Sequence, residues 1–242
     1  MKAIVLAAGQ GSRMGEATKT LPKPLMEFGR SSIISRLIRQ LLSRNVQEIN
    51  IVVGYMHELI REEVASHFPD TSNITFTYNH AYKDDTNILS AYLGIEHIAS
   101  EDFAIFESDC IYSDQAMDMI VSSFNNLHSC WYTIGDFIQD QNGGILLSNH
   151  NREIQDIKIV PEYLVNYFGY KKLIGLLYVS SDQSNRFKML LTEALKISSK
   201  QYYLQPWIDH LKDLPCVEIP LPKGSSGAFN NKLEYNDALM IQ

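Results

Sequence analysis

The sequence predicts an α/β fold: a Rossmann-like three-layer α/β/α arrangement around a mostly parallel mixed sheet. Three observations predict it. Short apolar runs at 2–7, 48–53 and 102–107, rich in β-branched or aromatic residues, read as strands buried on both faces, as parallel strands are. Segments of helical periodicity separate them, the β-α-β-α order that a doubly wound sheet requires. From residue 130 onward the chain turns β-rich, which reads as an insertion after the alternating half. At 242 residues, 45% of them hydrophobic and 20% charged, the chain can bury a full core, and one domain over 1–242 is the simplest division.

Taken in order, Lys2–Ala7 (KAIVLA) is the first strand, and Gly9 and Gly11 break it. Ser31 or Ser32 can cap a helix from about 33 to 44, where Ile33, Ile34, Leu37, Ile38, Leu41 and Leu42 keep helical spacing. Glu48–Val53 is the second strand, ended by Gly54, and a helix follows over 56–67. Ile74–Tyr78 alternates as a third strand; a polar loop covers 79–87 and a helix 88–98. Asp102–Glu107 is the fourth strand, stopping at Ser108-Asp109-Cys110, and Ser113 starts a helix to about 125. Strands are then expected at 130–135, 144–148, 154–160 and 172–180, with a polar turn at 149–152. A helix over 182–196 leads to an aromatic segment, Tyr202-Tyr203-Leu204-Gln205-Pro206-Trp207. A strand at 216–221, a flexible turn at 223–227 and a closing helix over 232–241, capped by Asn230 or Asn231, follow.

The formal net charge of −7 argues against a nucleic-acid backbone or an anionic membrane as partner. No segment has the length of a transmembrane helix, and the apolar run after Met1-Lys2 is too short for a signal peptide. Cys110, Cys130 and Cys216 are odd in number and form no CxxC pair, so reduced thiols in a cytoplasm are expected.

Functional chemistry concentrates in Leu6-Ala7-Ala8-Gly9-Gln10-Gly11-Ser12-Arg13-Met14, closed by Pro22-Lys23-Pro24-Leu25. Glycines after a strand admit positive φ and bring bare N–H groups close to a ligand, and successive N–H groups make an anion nest. Arg13 and Lys23 add two positive charges, with Pro22 and Pro24 restricting the lysine's segment. The stretch reads as a triphosphate cradle. The dinucleotide fingerprint would need its third glycine at Met14, and a Walker A loop would need glycine where Thr18 precedes Lys19-Thr20. Ligands of open parallel sheets bind outside the carboxyl ends of the strands, where Gly9 and Asp109 both fall. Asp109 is there either a Mg²⁺ ligand facing the triphosphate or a loop and cap residue. Glu107 is read as pointing the other way and structural. The aromatics Trp131, Tyr132, Tyr167, Tyr202, Tyr203 and Trp207 could cage a quaternary ammonium or could equally be core.

The string L-A-A-G-x-G-x-R-M followed by P-K-P-L resembles the signature of nucleotidyltransferases that activate sugar 1-phosphates and phosphorylated amino alcohols. Ser108-Asp109 stands where that family commonly has Gly-Asp, whose aspartate binds the catalytic Mg²⁺. Ala228-Phe229-Asn230-Asn231-Lys232-Leu233 is similar to the Gly-Val-Asn-Asn-Arg-Leu of N-acetylglucosamine-1-phosphate uridylyltransferases, which implies Asn230 as a second Mg²⁺ ligand; the alternative is a plain helix cap. Tyr78-Asn79-His80-Ala81-Tyr82 and Thr86-Asn87-Ile88-Leu89-Ser90 resemble phosphocholine-type and aminoethylphosphonate-type cytidylyltransferases. Tyr202-Tyr203-Leu204-Gln205 is similar to the Tyr-Tyr-Leu-Thr-Asp of the uridylyltransferases, departing at Gln205-Pro206.

The resemblance implies a Mg²⁺-dependent transfer of a nucleoside monophosphate, CMP from CTP by preference, to a phosphorylated small-molecule acceptor. Residues 1–128 would form the nucleotide-binding half and 129–242 the acceptor-binding half. Arg13 and Lys23 would be catalytic; Leu6 to Arg13, Lys23, Asn79, Asn87 and Ser90 would bind the nucleotide; Asp109 and Asn230 would hold the metal. Trp131, Tyr203 and Trp207 are the candidate acceptor contacts. A sugar-1-phosphate uridylyl-, guanylyl- or thymidylyltransferase and a catalytically silent nucleotide-binding subunit are the alternatives, and a homodimer is left open.

Overall fold

The computed structural model describes residues 1–46, 48–69, 72–125 and 128–241. Strand β1 (Lys2–Ala7) opens the chain. A hairpin of β2 (Glu27–Phe28) and β3 (Ser31–Ser32) leads into α1 (Ile33–Leu42). Ser32 caps that helix, its Oγ accepting the Ser35 N–H at 3.2 Å. Then come β4 (Glu48–Val53), α2 (His57–His67), β5 (Ile74–Tyr78), α3 (Ile88–Ile95) and β6 (Phe103–Glu107). After β7 (Cys110–Tyr112) and α4 (Asp114–Ser122) stand β8 (Ser129–Asp136), β9 (Gly143–Ser148), β10 (Ile154–Val160) and β11 (Lys171–Val179). The C-terminal part is α5 (Ser181–Ile197), α6 (Gln205–His210), β12 (Cys216–Pro220), β13 (Ser226–Ala228) and α7 (Lys232–Ala238).

Nine of these strands make one sheet in the order β10-β9-β11-β6-β1-β4-β5, with β8 joining through β11 and β12 through β8. The run β6-β1-β4-β5 is parallel; β11 then pairs antiparallel with β6, so the sheet is mixed, as the sequence predicts. Side chains of β1 alternate between two cores: Ala3, Val5 and Ala7 on one face, Ile4 and Leu6 on the other. The first core is covered by α1, α2 and α4 and the second by α3, α5 and α6, which gives three layers.

The six aromatics do not all converge. Trp131, Tyr203 and Trp207 belong to one core, Tyr132 to the opposite one and Tyr167 to a separate cluster with Phe137. Burial of apolar ring area has drawn these five into different layers, while Tyr202, 39% exposed, lines the same cleft as Trp131 and Tyr203, so the six do not form one cage. A second difference concerns 223–227: its last two residues are paired, in the two-stranded ribbon of β13 with β7. Three-residue strands with Gly227 at their centre carry too little periodicity to be read in advance. The three cysteines are free and buried. Among the described residues, no helix is long and apolar enough to cross a membrane.

Gly94 sets how closely α3 approaches the sheet. A Cβ there would lie 2.4 Å from Ile4 Cγ2 and 3.0 Å from Val52 Cγ2. Gly94→Ala should therefore destabilise the protein by about 1–3 kcal/mol despite alanine's better helix propensity, because overpacking outweighs a gain of roughly 1 kcal/mol. Urea unfolding checks it, and an unchanged midpoint would mean that the helix can retreat at no cost.

Candidate active site

The carboxyl ends of β1 and β6 open into a cleft of about 460 Å³. One wall is the Gly9–Arg13 loop. Gly11 takes a left-handed φ of +64°, whereas Gly9 does not; the chain needs only one glycine for the turn and leaves Gly9 open on the cleft, with nothing within 4 Å of a would-be Cβ. Thr18 pins the loop from behind, its Oγ1 donating to the Gly11 carbonyl at 3.0 Å, and the Met14 N–H donates to the same oxygen at 2.9 Å. Thr18 was not among the expected site residues; a lone threonine eleven positions after a strand gives no signal. Arg13 is exposed on the cleft, with no side-chain partner among the described residues.

Pro22, at φ −67°, delivers Lys23 onto a single tight turn, Lys23–Leu25. The lysine is only 8% exposed. Its Nζ donates to Asp109 Oδ2 at 2.5 Å and lies 4.7 Å from the centre of the Phe229 ring. Asp109 stands in the turn between β6 and β7, and the β7–β13 ribbon, pairing Cys110 with Ala228, carries Asn230 to the same cleft. Asn231, not Asn230, caps α7: its Oδ1 accepts the Glu234 N–H at 2.9 Å. The Asn230 side chain is left without a hydrogen-bond partner among the described residues. An unspent amide oxygen on the same cleft as a carboxylate offers hard oxygens, the donors that Mg²⁺ takes. The ligand atoms of Glu107, Asp109 and Cys110 also lie within 4.8 Å of one another. Burial pushes the Cys110 thiol up, so that soft ligand stays protonated.

Other expected contacts fall differently. Leu6 and Ala8 line the cleft, while Ala7 packs into the opposite core because strand alternation turns it away. Asn79 is fully buried and does not reach the cleft. Its Nδ2 donates to Asp85 Oδ2 at 2.9 Å and Ser90 Oγ at 3.0 Å, and its Oδ1 accepts the Ala81 N–H at 2.9 Å. Ser90 lines the cleft with its hydroxyl committed to Asp85 at 2.7 Å. Asp85 thus organises the loop before α3, a role that Asn79 and Ser90 serve and that was missed from sequence. Asn87 is a strut: Nδ2 donates to Glu107 Oε1 at 3.3 Å and Oδ1 accepts the Tyr203 N–H at 2.9 Å. Trp131 and Tyr203 stack at 5.8 Å on the cleft floor, each 2% exposed. Trp207 is fully buried beneath Trp131, edge to face at 5.7 Å, so it supports the floor without reaching the cleft.

Glu107 corrects the reading that turned it away. Its carboxylate lies over Gly175 on the cleft floor, where a Cβ at 175 would come within 2.6 Å of it. Only a glycine there lets a strand residue and a carboxylate share the space. Burial, then the neighbouring Asp109 carboxylate, pushes the Glu107 pKa up to about 7. Lys172, at the start of β11, also faces the cleft and was also missed; a lysine pair opening an apolar strand was the available signal.

Against this geometry, the profile of the nucleotidyl transferase family matches residues 2–154. The bifunctional protein GlmU of Methanococcus aeolicus is 26% identical over 203 residues, 81% of this chain and 46% of that protein. A 2-aminoethylphosphonate cytidylyltransferase of Lancefieldella rimae is 33% identical over 113 residues, 47% of this chain and 44% of its own length. The matches thus span about half the length of these curated relatives. A solved CTP:phosphocholine cytidylyltransferase from Streptococcus pneumoniae superposes with a TM-score of 0.80 at 20% identity, covering 97% of this chain and 96% of that one.

A raised carboxyl pKa destabilises the fold once the group must ionise. The stability linked to Glu107 is fully present below the usual carboxyl value of 4.5 and lost as pH rises through about 7. In metal-free protein, Glu107→Gln should remove that loss and gain stability over wild type between pH 5 and pH 8. Urea unfolding at the two pH values checks it, and parallel pH dependence of both proteins would contradict it.

Proposed function

The chain belongs to the nucleotidyl transferase family, and from that premise we propose that it transfers CMP from CTP to a phosphorylated small molecule, releasing pyrophosphate. The acceptor class is a phosphorylated amino alcohol, an aminoalkylphosphonate or a phosphoglutamine-like phosphate. The observation that carries the reading is the Lys23–Asp109 pair at 2.5 Å, set in one cleft with the Gly9–Arg13 loop and the uncommitted Asn230 amide. The cytidylyltransferase relatives and the Thr86-Asn87 to Ser90 pattern support the choice of base.

In the proposed step, an acceptor phosphate or phosphonate oxygen forms a bond to the α-phosphorus. The bond from that phosphorus to the oxygen bridging it to the β-phosphate breaks, and pyrophosphate leaves in line. The nucleophile needs no protein base, since a phosphomonoester with a second pKa of about 6 is largely ionised at neutral pH. The difficulty is electrostatic: two anions must meet, and charge accumulates on the leaving group. Backbone N–H groups from Gly9 to Arg13 would bind the triphosphate, Arg13 its β- and γ-phosphates. Lys23, shielded from water, would neutralise charge developing at the reacting centre. Asp109 and Asn230 would hold Mg²⁺, which when bound supplies Lewis-acid neutralisation of phosphate charge. Asn87 and Glu107 order the floor on which the acceptor half is built.

A second reading, uridylyl transfer to a sugar 1-phosphate, draws on the GlmU relative and on the Asn230-Asn231 segment. Incubation with each nucleoside triphosphate and Mg²⁺ against phosphocholine, 2-aminoethylphosphonate, phosphoglutamine and hexose 1-phosphates separates the readings by pyrophosphate release. CTP with one of the first three is the expected pair. UTP with a hexose 1-phosphate would favour the second reading, and no product with any pair would favour a silent nucleotide-binding subunit.

Lys23→Ala should keep a cooperative thermal transition and lose about 10²–10³ in turnover, the usual loss when one charge leaves a water-excluded site. Near-normal pyrophosphate release would refute its role. Asp109→Asn should shift the Mg²⁺ dependence of the rate to much higher concentration; a superimposable titration would remove Asp109 from the metal.

A further inference from the structure

Lys172 is the second residue of β11, which runs antiparallel beside β6 with Leu176 opposite Phe106. Continuing that register puts Lys172 just past the end of β6, on the side away from β1. Its Nζ donates to two main-chain carbonyls, Leu173 at 3.2 Å and Gly144 at 3.4 Å. No carboxylate lies within 4.0 Å of it among the described residues. Burial lowers its basicity, and Glu107 is the foremost of the carboxylates that oppose this. An ammonium has three donors, so one remains after the two carbonyls. Gly143 and Gly144 face it bare: a Cβ on Gly143 would sit 3.3 Å from Nζ, and the φ of +95° at Gly143 disfavours any side chain. Asn142, beside them on the cleft, has no side-chain partner among the described residues.

A half-buried cation with no carboxylate in contact is costly unless an anion completes it. The sheet order tells which anion. Strands are spaced about 4.8 Å apart, so the loop after β1 and the start of β11 flank the end of β6 at roughly 10 Å from each other. With the triphosphate over β1 and the reacting centre at Asp109, in-line displacement requires the nucleophile to come from the side opposite the leaving pyrophosphate. That side is β11. We propose that Lys172, backed by Asn142 and the bare Gly143–Gly144 strip, is the clamp for the acceptor's phosphoryl or phosphonyl oxygens, selecting acceptors by a terminal dianionic group. The inference rests on the transferase reading above for the identity of the anion.

With the nucleotide and acceptor that wild type turns over, Lys172→Ala should lower kcat/KM for the acceptor about 10²-fold, chiefly through KM. The KM for the nucleotide should stay within about twofold, and Lys172→Arg should recover part of the loss. An unchanged acceptor KM, or a rise confined to the nucleotide KM, overturns the clamp. Calorimetric titration with methyl phosphate, run with the Gly9–Arg13 loop filled by a non-hydrolysable CTP analogue, keeps the two readings apart: wild type should bind it and Lys172→Gln should not, whether or not any pair supports turnover. Equal binding by a folded Lys172→Gln overturns the clamp even if the transferase reading holds, whereas lost binding in a protein inactive with every pair overturns only the transferase reading.

Discussion

The ion pair between Lys23 and Asp109 is the interaction on which the rest of the cleft depends. It joins the segment after β1 to the turn after β6, two places 86 residues apart in the chain that lie side by side because β1 and β6 are parallel neighbours. Neither charge is well hydrated: the side chains are 10% and 21% exposed. Each therefore holds the other in place, and removing one partner leaves a largely dehydrated charge behind. The same contact fixes the lysine over Phe229, which in turn packs with Tyr235 of α7 and ties the C-terminal segment to the cleft.

The electrostatics follow from that anchor. Positive charge is supplied on both flanks of the β6 terminus, by Arg13 and Lys23 on the β1 side and by Lys172 on the β11 side. Two carboxyl groups, Glu107 and Asp109, stand at the terminus itself. A protein of net charge −7 thus sets three cationic side chains, Arg13, Lys23 and Lys172, around one cleft, with carboxyl groups between them. Gly175 and Gly143 are the backbone's contribution, each giving up a side chain so that a carboxylate or an ammonium can lie against the sheet.

What could be read in advance was local. β1, the glycine loop, α1 and the parallel order follow from hydrophobic period and from glycine and proline placement, which neighbours in sequence determine. The place of Asp109 at the mouth of the cleft was legible because clefts of open parallel sheets lie at the carboxyl ends of the strands. What escaped depends on long-range register. The apposition of Glu107 to Gly175 and the arrival of Asn230 at the cleft arise from pairings of β6 with β11 and of β7 with β13 that no short window encodes. Asn79 and Trp207 mislead for the opposite reason: their types suit binding, but a buried hydrogen-bond network and a core consume them. The wall of the cleft beyond β6 was the least legible part because it is built from strands far apart in the chain.

The most direct measurement is a crystal structure with a non-hydrolysable CTP analogue and Mn²⁺, the metal located by its anomalous scattering. Phosphates against the Gly9–Arg13 amides and Lys23, with manganese on Asp109 and Asn230, are the predicted result. Phosphates bound elsewhere while that loop stays bare, or a metal distant from Asp109, would contradict it.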